Sequence, residues 1–225
     1  MTGVTISTYR LSSNSSSRLV AGCAASDKLR ESSISTPVGP RNGPPAEPAA
    51  PDFDARFSAT GRTYRYRVLN RADPDPFLST TTWHVEAPLD TATMNRAAGD
   101  LVGMHDFTSF CRLPTLRPDG TMPTLVRRVT GASWRWLEPG LSGIALLEFE
   151  VSASAFCHQM VRTMVGTLVD VGSGRLTVDS IPRILAARDR GASGEPAPPC
   201  GLTFWSVAYP PEALPTPADG HLPDG

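Results

Sequence analysis

An α+β fold, one antiparallel sheet with helices packed on one face, is predicted for the middle of this 225-residue chain. Three observations predict it. Residues 62–70 alternate strictly between apolar and charged side chains. Two helical stripes follow, separated by a pair of strand-like runs. A last apolar, β-branched run ends at Pro210-Pro211. Read in order, the elements are strand, helix, strand, strand, helix, strand, which is the split, ferredoxin-like βαββαβ pattern. That fold hosts many functions, so it decides none of them.

The first strand is Arg62-Thr63-Tyr64-Arg65-Tyr66-Arg67-Val68-Leu69-Asn70. Tyr64, Tyr66 and Val68 share one face, and Arg65 and Arg67 share the other. Tyr66 is expected in the core. Trp83-His84-Val85 reads as a short additional strand. The first helix starts at Asp90 or Thr91, carries Met94, Ala97, Ala98, Leu101 and Val102 at helical spacing, and can end at Gly103. A loop over 111–123 holds three prolines. Strands at 125–137 and 144–151 then form a hairpin across 138–143. The second helix is expected over 155–171, with the stripe Phe156, Met160, Val161, Met164, Val165, Leu168, and Gly172-Ser173-Gly174 stops it. A short helix over 179–189 tolerates Pro182 in its first turn. Residues 202–209 form the last strand.

Outside this unit the texture differs. Residues 1–50 are a Ser/Pro-rich leader without periodicity and are expected to be disordered. Residues 51–210 form the domain, and 211–225 a polar tail. Residues 20–23 resemble a lipoprotein cleavage box, but the stretch before them is polar, which excludes a secretory signal. No apolar run reaches the roughly 18 residues that span a bilayer, so no membrane partner is expected. The four cysteines are scattered without a Cys-x-x-Cys pair, which argues against a metal site and a disulfide framework and for a reduced, cytoplasmic protein.

Net charge is −1, which by itself points to no nucleic acid. The distribution is more telling. Lys28 is the single lysine among 21 basic residues, and arginine suits forked phosphate contacts and stacking on bases. A genome rich in G and C would give the same bias. Between residues 55 and 72 lie Arg56, Arg62, Arg65, Arg67 and Arg71 with no acid, interleaved with aromatics. The stripe reads equally as a solvated face or as an RNA contact.

Three segments resemble one family. They are 52–59 leading into Arg62-Thr63-Tyr64-Arg65-Tyr66, then Leu101-Val102-Gly103-Met104-His105-Asp106-Phe107-Thr108-Ser109-Phe110, and then Ala155-Phe156-Cys157-His158-Gln159-Met160-Val161-Arg162 with Val165-Gly166-Thr167-Leu168. Gly201-Leu202 adds a fourth, weaker match. Over residues 51–210 the chain resembles the tRNA pseudouridine synthases of the TruA type. The resemblance implies part of the pseudouridine synthase fold, isomerisation of uridine to pseudouridine in the tRNA anticodon stem-loop, no cofactor and no metal, and homodimers.

The chemistry explains the residue types. A stacked base must be extruded into a pocket, where an aromatic ring can hold it, and an aspartate then attacks the uridine. By resemblance, Arg162 pairs with that aspartate, keeping it ionised, and is the catalytic candidate. Tyr64 and Leu202 line the substrate pocket. Arg56, Arg62, Arg65 and His158 are the RNA-binding candidates. His158 reads as readily as a structural histidine, and His105-Asp106 as structural or positioning residues. The family's nucleophile lies in an Arg-Thr-Asp-Ala-Gly-Val-His type loop ahead of the Tyr64 strand. Asp27, Asp52 and Asp54, the aspartates that precede that strand, do not sit in such a loop. Three readings therefore stay open: a synthase, a catalytically inactive tRNA-binding module, and a ferredoxin-like interaction domain. A truncated product, a mis-started frame and a degenerate paralogue all fit the same sequence.

Overall fold

The structure, a computed structural model, describes residues 6–7, 52–139 and 143–210. Apart from residues 6–7, the leader lies outside the described residues, as do the polar tail and the tip of the hairpin. Within them, strands β1 (Ile6–Ser7), β2 (Gly61–Asn70) and β3 (Trp83–Val85) precede helix α1 (Thr91–Gly99) and strand β4 (Gly103–Asp106). Strands β5 (Val126–Leu137) and β6 (Leu146–Ala153), helices α2 (Met160–Gly172) and α3 (Ser180–Ala187), and strand β7 (Leu202–Ala208) complete the order.

The strands form one sheet in the order β1-β7-β2-β6-β5-β4. Its centre, β7-β2-β6-β5, has the ferredoxin-like arrangement that the element order predicts. Three features were not expected. β3 runs parallel to β2, pairing Val68 with Trp83 and Asn70 with Val85, so the sheet is mixed. β4 adds an outer strand, pairing Gly103 with Val129 and Asp106 with Val126. Ile6 and Ser7 pair with Val207 and Ser206, so this piece of the leader is strand.

Helices α1 and α2 pack on the face that carries Tyr66 and Val68. The core between them includes Met94, Leu101, Trp134, Phe149, Met160, Met164 and Leu168. Burying each large apolar side chain of this kind contributes about 1.5–3 kcal/mol. Asp90 caps α1 by accepting from the backbone N–H groups of Ala92 and Thr93. The helix closes at Gly99 rather than running to Gly103, which instead opens β4 at a φ of 124°.

The largest departure concerns α2. It begins at Met160, five residues after its expected start, because Gln159 adopts a left-handed conformation with φ of 66°. The apolar stripe misleads here, since Phe156 and Met160 keep helical spacing although Phe156 is in the preceding loop. Leaving the helix sets Phe156 against Tyr64 of β2. The disulfide reading also needs correction. Cys111 and Cys157, 46 residues apart, are bonded with a Cα separation of 5.8 Å. Local spacing could not show this, because only the fold brings the two loops together.

Candidate functional site

Tyr64 lies on β2 at the position where its pairing with β7 shifts register, opposite Phe204. Its ring meets Phe156 edge-on at 5.0 Å and Phe204 at 5.1 Å, forming an aromatic corner. Beside this corner is a cavity of about 260 Å³ lined by Tyr64, Phe156, His158, Gln159, Arg162 and Leu202, among others. Tyr64, Arg162, Leu202 and His158, four of the seven candidates chosen from sequence, therefore surround one space. Burial pushes the Tyr64 phenol up from its ordinary value, partly offset by the charge of Arg62, so the phenol stays protonated.

Arg162 is in the first turn of α2. Its Nε donates to the Ala197 carbonyl at 2.6 Å, and the Ala197 N–H donates to the Arg162 carbonyl at 3.0 Å. The first bond holds the Arg162 side chain, and the second its backbone, against the 195–198 segment. Among the described residues, Arg162 forms no ion pair and no carboxylate lines the cavity. A cation held in place without a counter-charge is ready to receive an anion.

Leu202 is positioned by close approach. The turn before it brings Gly201 so near β2 that a Cβ there would lie 2.6 Å from the Arg67 carbonyl and 2.7 Å from the Tyr66 ring. The Tyr66 hydroxyl donates to the Pro198 carbonyl at 2.6 Å, tying the same segment down from the core side.

The remaining RNA-binding candidates separate. Arg56 and His158 are exposed. Arg62 instead holds the chain together, donating to the carbonyls of Ser154 at 2.9 Å and Arg56 at 2.6 Å. Arg65 lies on the opposite face of the sheet, 2.6 Å from Glu150 and stacked over Trp205 at 3.6 Å. Two of the five arginines of the acid-free stripe, Arg65 and Arg67, are thus met across strands by Glu148 and Glu150. Sequence reasoning placed Phe156 in a helix and did not single out Phe204. The pattern Ala-Phe-Cys-His-Gln just ahead of Arg162 was the available signal for the first. Asp54 and Asp106, the other aspartates of interest, accept local backbone N–H groups, and Asp106 also meets Arg188 at 3.3 Å. Neither lines the cavity.

A family model described as tRNA pseudouridine synthase matches residues 97–210, which carry His158, Arg162 and Leu202. The chain belongs to the tRNA pseudouridine synthase family. Curated relatives named tRNA pseudouridine synthase A agree. The chain is 42% identical over 167 residues to that of Rhodospirillum centenum, covering 72% of this chain and 62% of the relative. It is 43% identical over 165 residues to that of Acidiphilium cryptum, covering 73% and 60%. With that of Moorella thermoacetica the identity is 42% over 160 residues, covering 71% and 61%. The chain thus spans about three-fifths of the length of these relatives. Among the described residues, no helix is long and apolar enough to cross a membrane.

Proposed function

We propose that this chain carries the uridine-binding side of a tRNA pseudouridine synthase, isomerising uridine to pseudouridine in the anticodon stem-loop. The observation that supports this reading is the convergence of Tyr64, Phe156, Arg162 and Leu202 on one cavity. An extruded base stacks on the Tyr64 ring, a contact worth roughly 1–3 kcal/mol in single-strand binders. Leu202 bounds the cavity. Arg162 holds an aspartate carboxylate in its ionised, nucleophilic form. That carboxylate attacks the uridine as the glycosidic bond to N1 breaks; the freed ring turns, its C5 bonds to the ribose carbon with release of the carboxylate, and the C5 hydrogen leaves as a proton. The setting is the cytoplasm, and the assembly is a homodimer.

One observation favours a second reading. No carboxylate among the described residues lines the cavity, so the chain alone would bind tRNA without turning it over. A label-release assay separates the two. The purified chain is incubated with tRNA labelled at uridine C5, and release is followed over time. Release that is lost in Tyr64→Ala and in Arg162→Ala supports the synthase. Salt-sensitive tRNA binding without release supports the binding module. Absence of tRNA binding at low salt refutes both. Light scattering of the same sample tests the dimer.

A further inference from the structure

A second cavity, of about 500 Å³, adjoins the one beside Tyr64 and shares Cys157 and His158 with it. Its polar wall comes from three elements: Arg112 after a short turn, Arg127 on β5 and His158 ahead of α2. None of its lining residues is acidic. This sets it apart from the outer sheet face, where Arg65, Arg67 and Arg135 each meet Glu148 or Glu150.

The two guanidinium groups are held differently. One terminal nitrogen of Arg127 donates to the carbonyls of Thr124 at 2.9 Å and Val126 at 2.7 Å, which fixes the head group. Its Nε is buried and has no hydrogen-bond partner among the described residues. Arg112 is exposed and its side chain has no ion-pair partner among the described residues, while its backbone N–H donates to the His158 carbonyl at 3.0 Å. That bond and the Cys111–Cys157 bridge fasten the Arg112 loop to the His158 loop.

We propose that this cavity binds a phosphodiester of the RNA backbone, next to the nucleotide whose base enters the Tyr64 cavity. The inference rests on the tRNA-binding reading and adds a position to it. Two forked cations with an imidazole beside them suit the non-bridging oxygens of a phosphate. The shared wall places that phosphate within one or two nucleotides of the extruded base, so the contact would fix the strand's register rather than read its sequence.

The test uses an anticodon-arm hairpin and a series of hairpins that each carry one neutral methylphosphonate linkage. Affinity is measured across a salt series for the full chain, Arg112→Gln, Arg127→Gln and Arg127→Lys. Each Gln variant is expected to lower the slope of log K against log salt by about 0.7–0.9, the loss of one phosphate contact. One methylphosphonate position should weaken the wild type and leave Arg112→Gln unaffected. Arg127→Lys should keep the slope, which separates loss of charge from loss of the loop's fold. Unchanged slopes in both Gln variants, with the wild type still binding the hairpin, overturn this site alone. A wild type that fails to bind the hairpin at low salt refutes the tRNA reading itself. Inorganic phosphate should displace the hairpin no better than chloride at equal ionic strength, and strong displacement would assign the cavity to free phosphate instead.

Discussion

Replacing Glu148 by Gln tests how the charged face of the sheet is held. The Glu148 side chain is 0% exposed, yet three arginines reach it. Arg135 donates to one oxygen at 2.7 Å, Arg67 to the other at 3.0 Å, and the Arg65 Nε lies 3.6 Å away. Burial pushes the carboxyl up, but the hydrogen bonds from Arg135 and Arg67 and the charges of Arg65 and Arg67 outweigh it, so its pKa is held below the ordinary value. Gln keeps one acceptor, so it loses one charge-assisted bond, worth about 1.5–3 kcal/mol. It also turns an NH2 toward a guanidinium. Removing one partner of a fully buried pair costs about 3–5 kcal/mol. Here the arginine side chains are 19%, 41% and 51% exposed, so water recovers part of that. The expected loss is about 2–3 kcal/mol, or roughly 5–10 °C in melting temperature for a domain of this size. Because the folded-state pKa is lowered, the stabilisation is present above the unfolded value of about 4.3 and is lost as pH falls through the folded value. Urea titrations followed by tryptophan fluorescence should therefore separate wild type and Glu148→Gln at pH 7, with the gap closing in acid. A loss below about 1 kcal/mol at pH 7, or a gap that persists in acid, would refute the reasoning.

Three further outcomes are expected. Gly166→Ala should destabilise the fold by several kcal/mol, about the range of strong overpacking, because a Cβ there would overlap the Glu195 backbone carbonyl; thermal melting checks it, and a neutral result would show that the 195–198 segment gives way easily. Tyr66→Phe should cost about 1–2 kcal/mol, the net value of one buried hydrogen bond, through loss of the bond to Pro198; urea titration measures it, and the same variant should weaken tRNA binding if this bond helps to position Leu202. In air-oxidised protein, peptide mapping without reductant should recover Cys111 and Cys157 in one linked pair of peptides, while Cys200 takes an alkylating label.

The element order and the site core were legible for different reasons. Strands with one buried face announce themselves by alternation, and β2 does so from Arg62 to Val68. Tyr64, Arg162, Leu202 and His158 were chosen because short motifs carried them, and the fold gathers them. Where local pattern and tertiary contact conflict, the pattern misleads. The spacing of Phe156 to Met160 continues a helical stripe through a loop, since nothing in a periodicity reports the left-handed Gln159 that breaks it. The pairing of Arg65 and Arg67 with Glu150 and Glu148 was hidden for a plainer reason. About eighty residues separate them, and strand register alone makes them neighbours.

The same register bears on where RNA meets the protein. A net charge of −1 gives no long-range pull toward a polyanion. Arginines on the outer sheet face add little local field, because Glu148 and Glu150 meet them. Around the paired cavities the balance differs. Arg162 forms no ion pair there among the described residues, Arg112 and Arg127 share a wall with no acid, and the backbone tethers each of Arg127 and Arg162 without neutralising it. Positive charge that is fixed, partly desolvated and unpaired acts over short range and resists screening better than exposed charge does. On the proposed tRNA-binding reading, the cation pattern therefore favours the cavities beside Tyr64 over the outer face that carries Arg65 and Arg67. Exchanging Arg65 for Gln should leave tRNA affinity nearly unchanged while exchanging Arg162 should not, and the reverse result would return the RNA contact to the outer face.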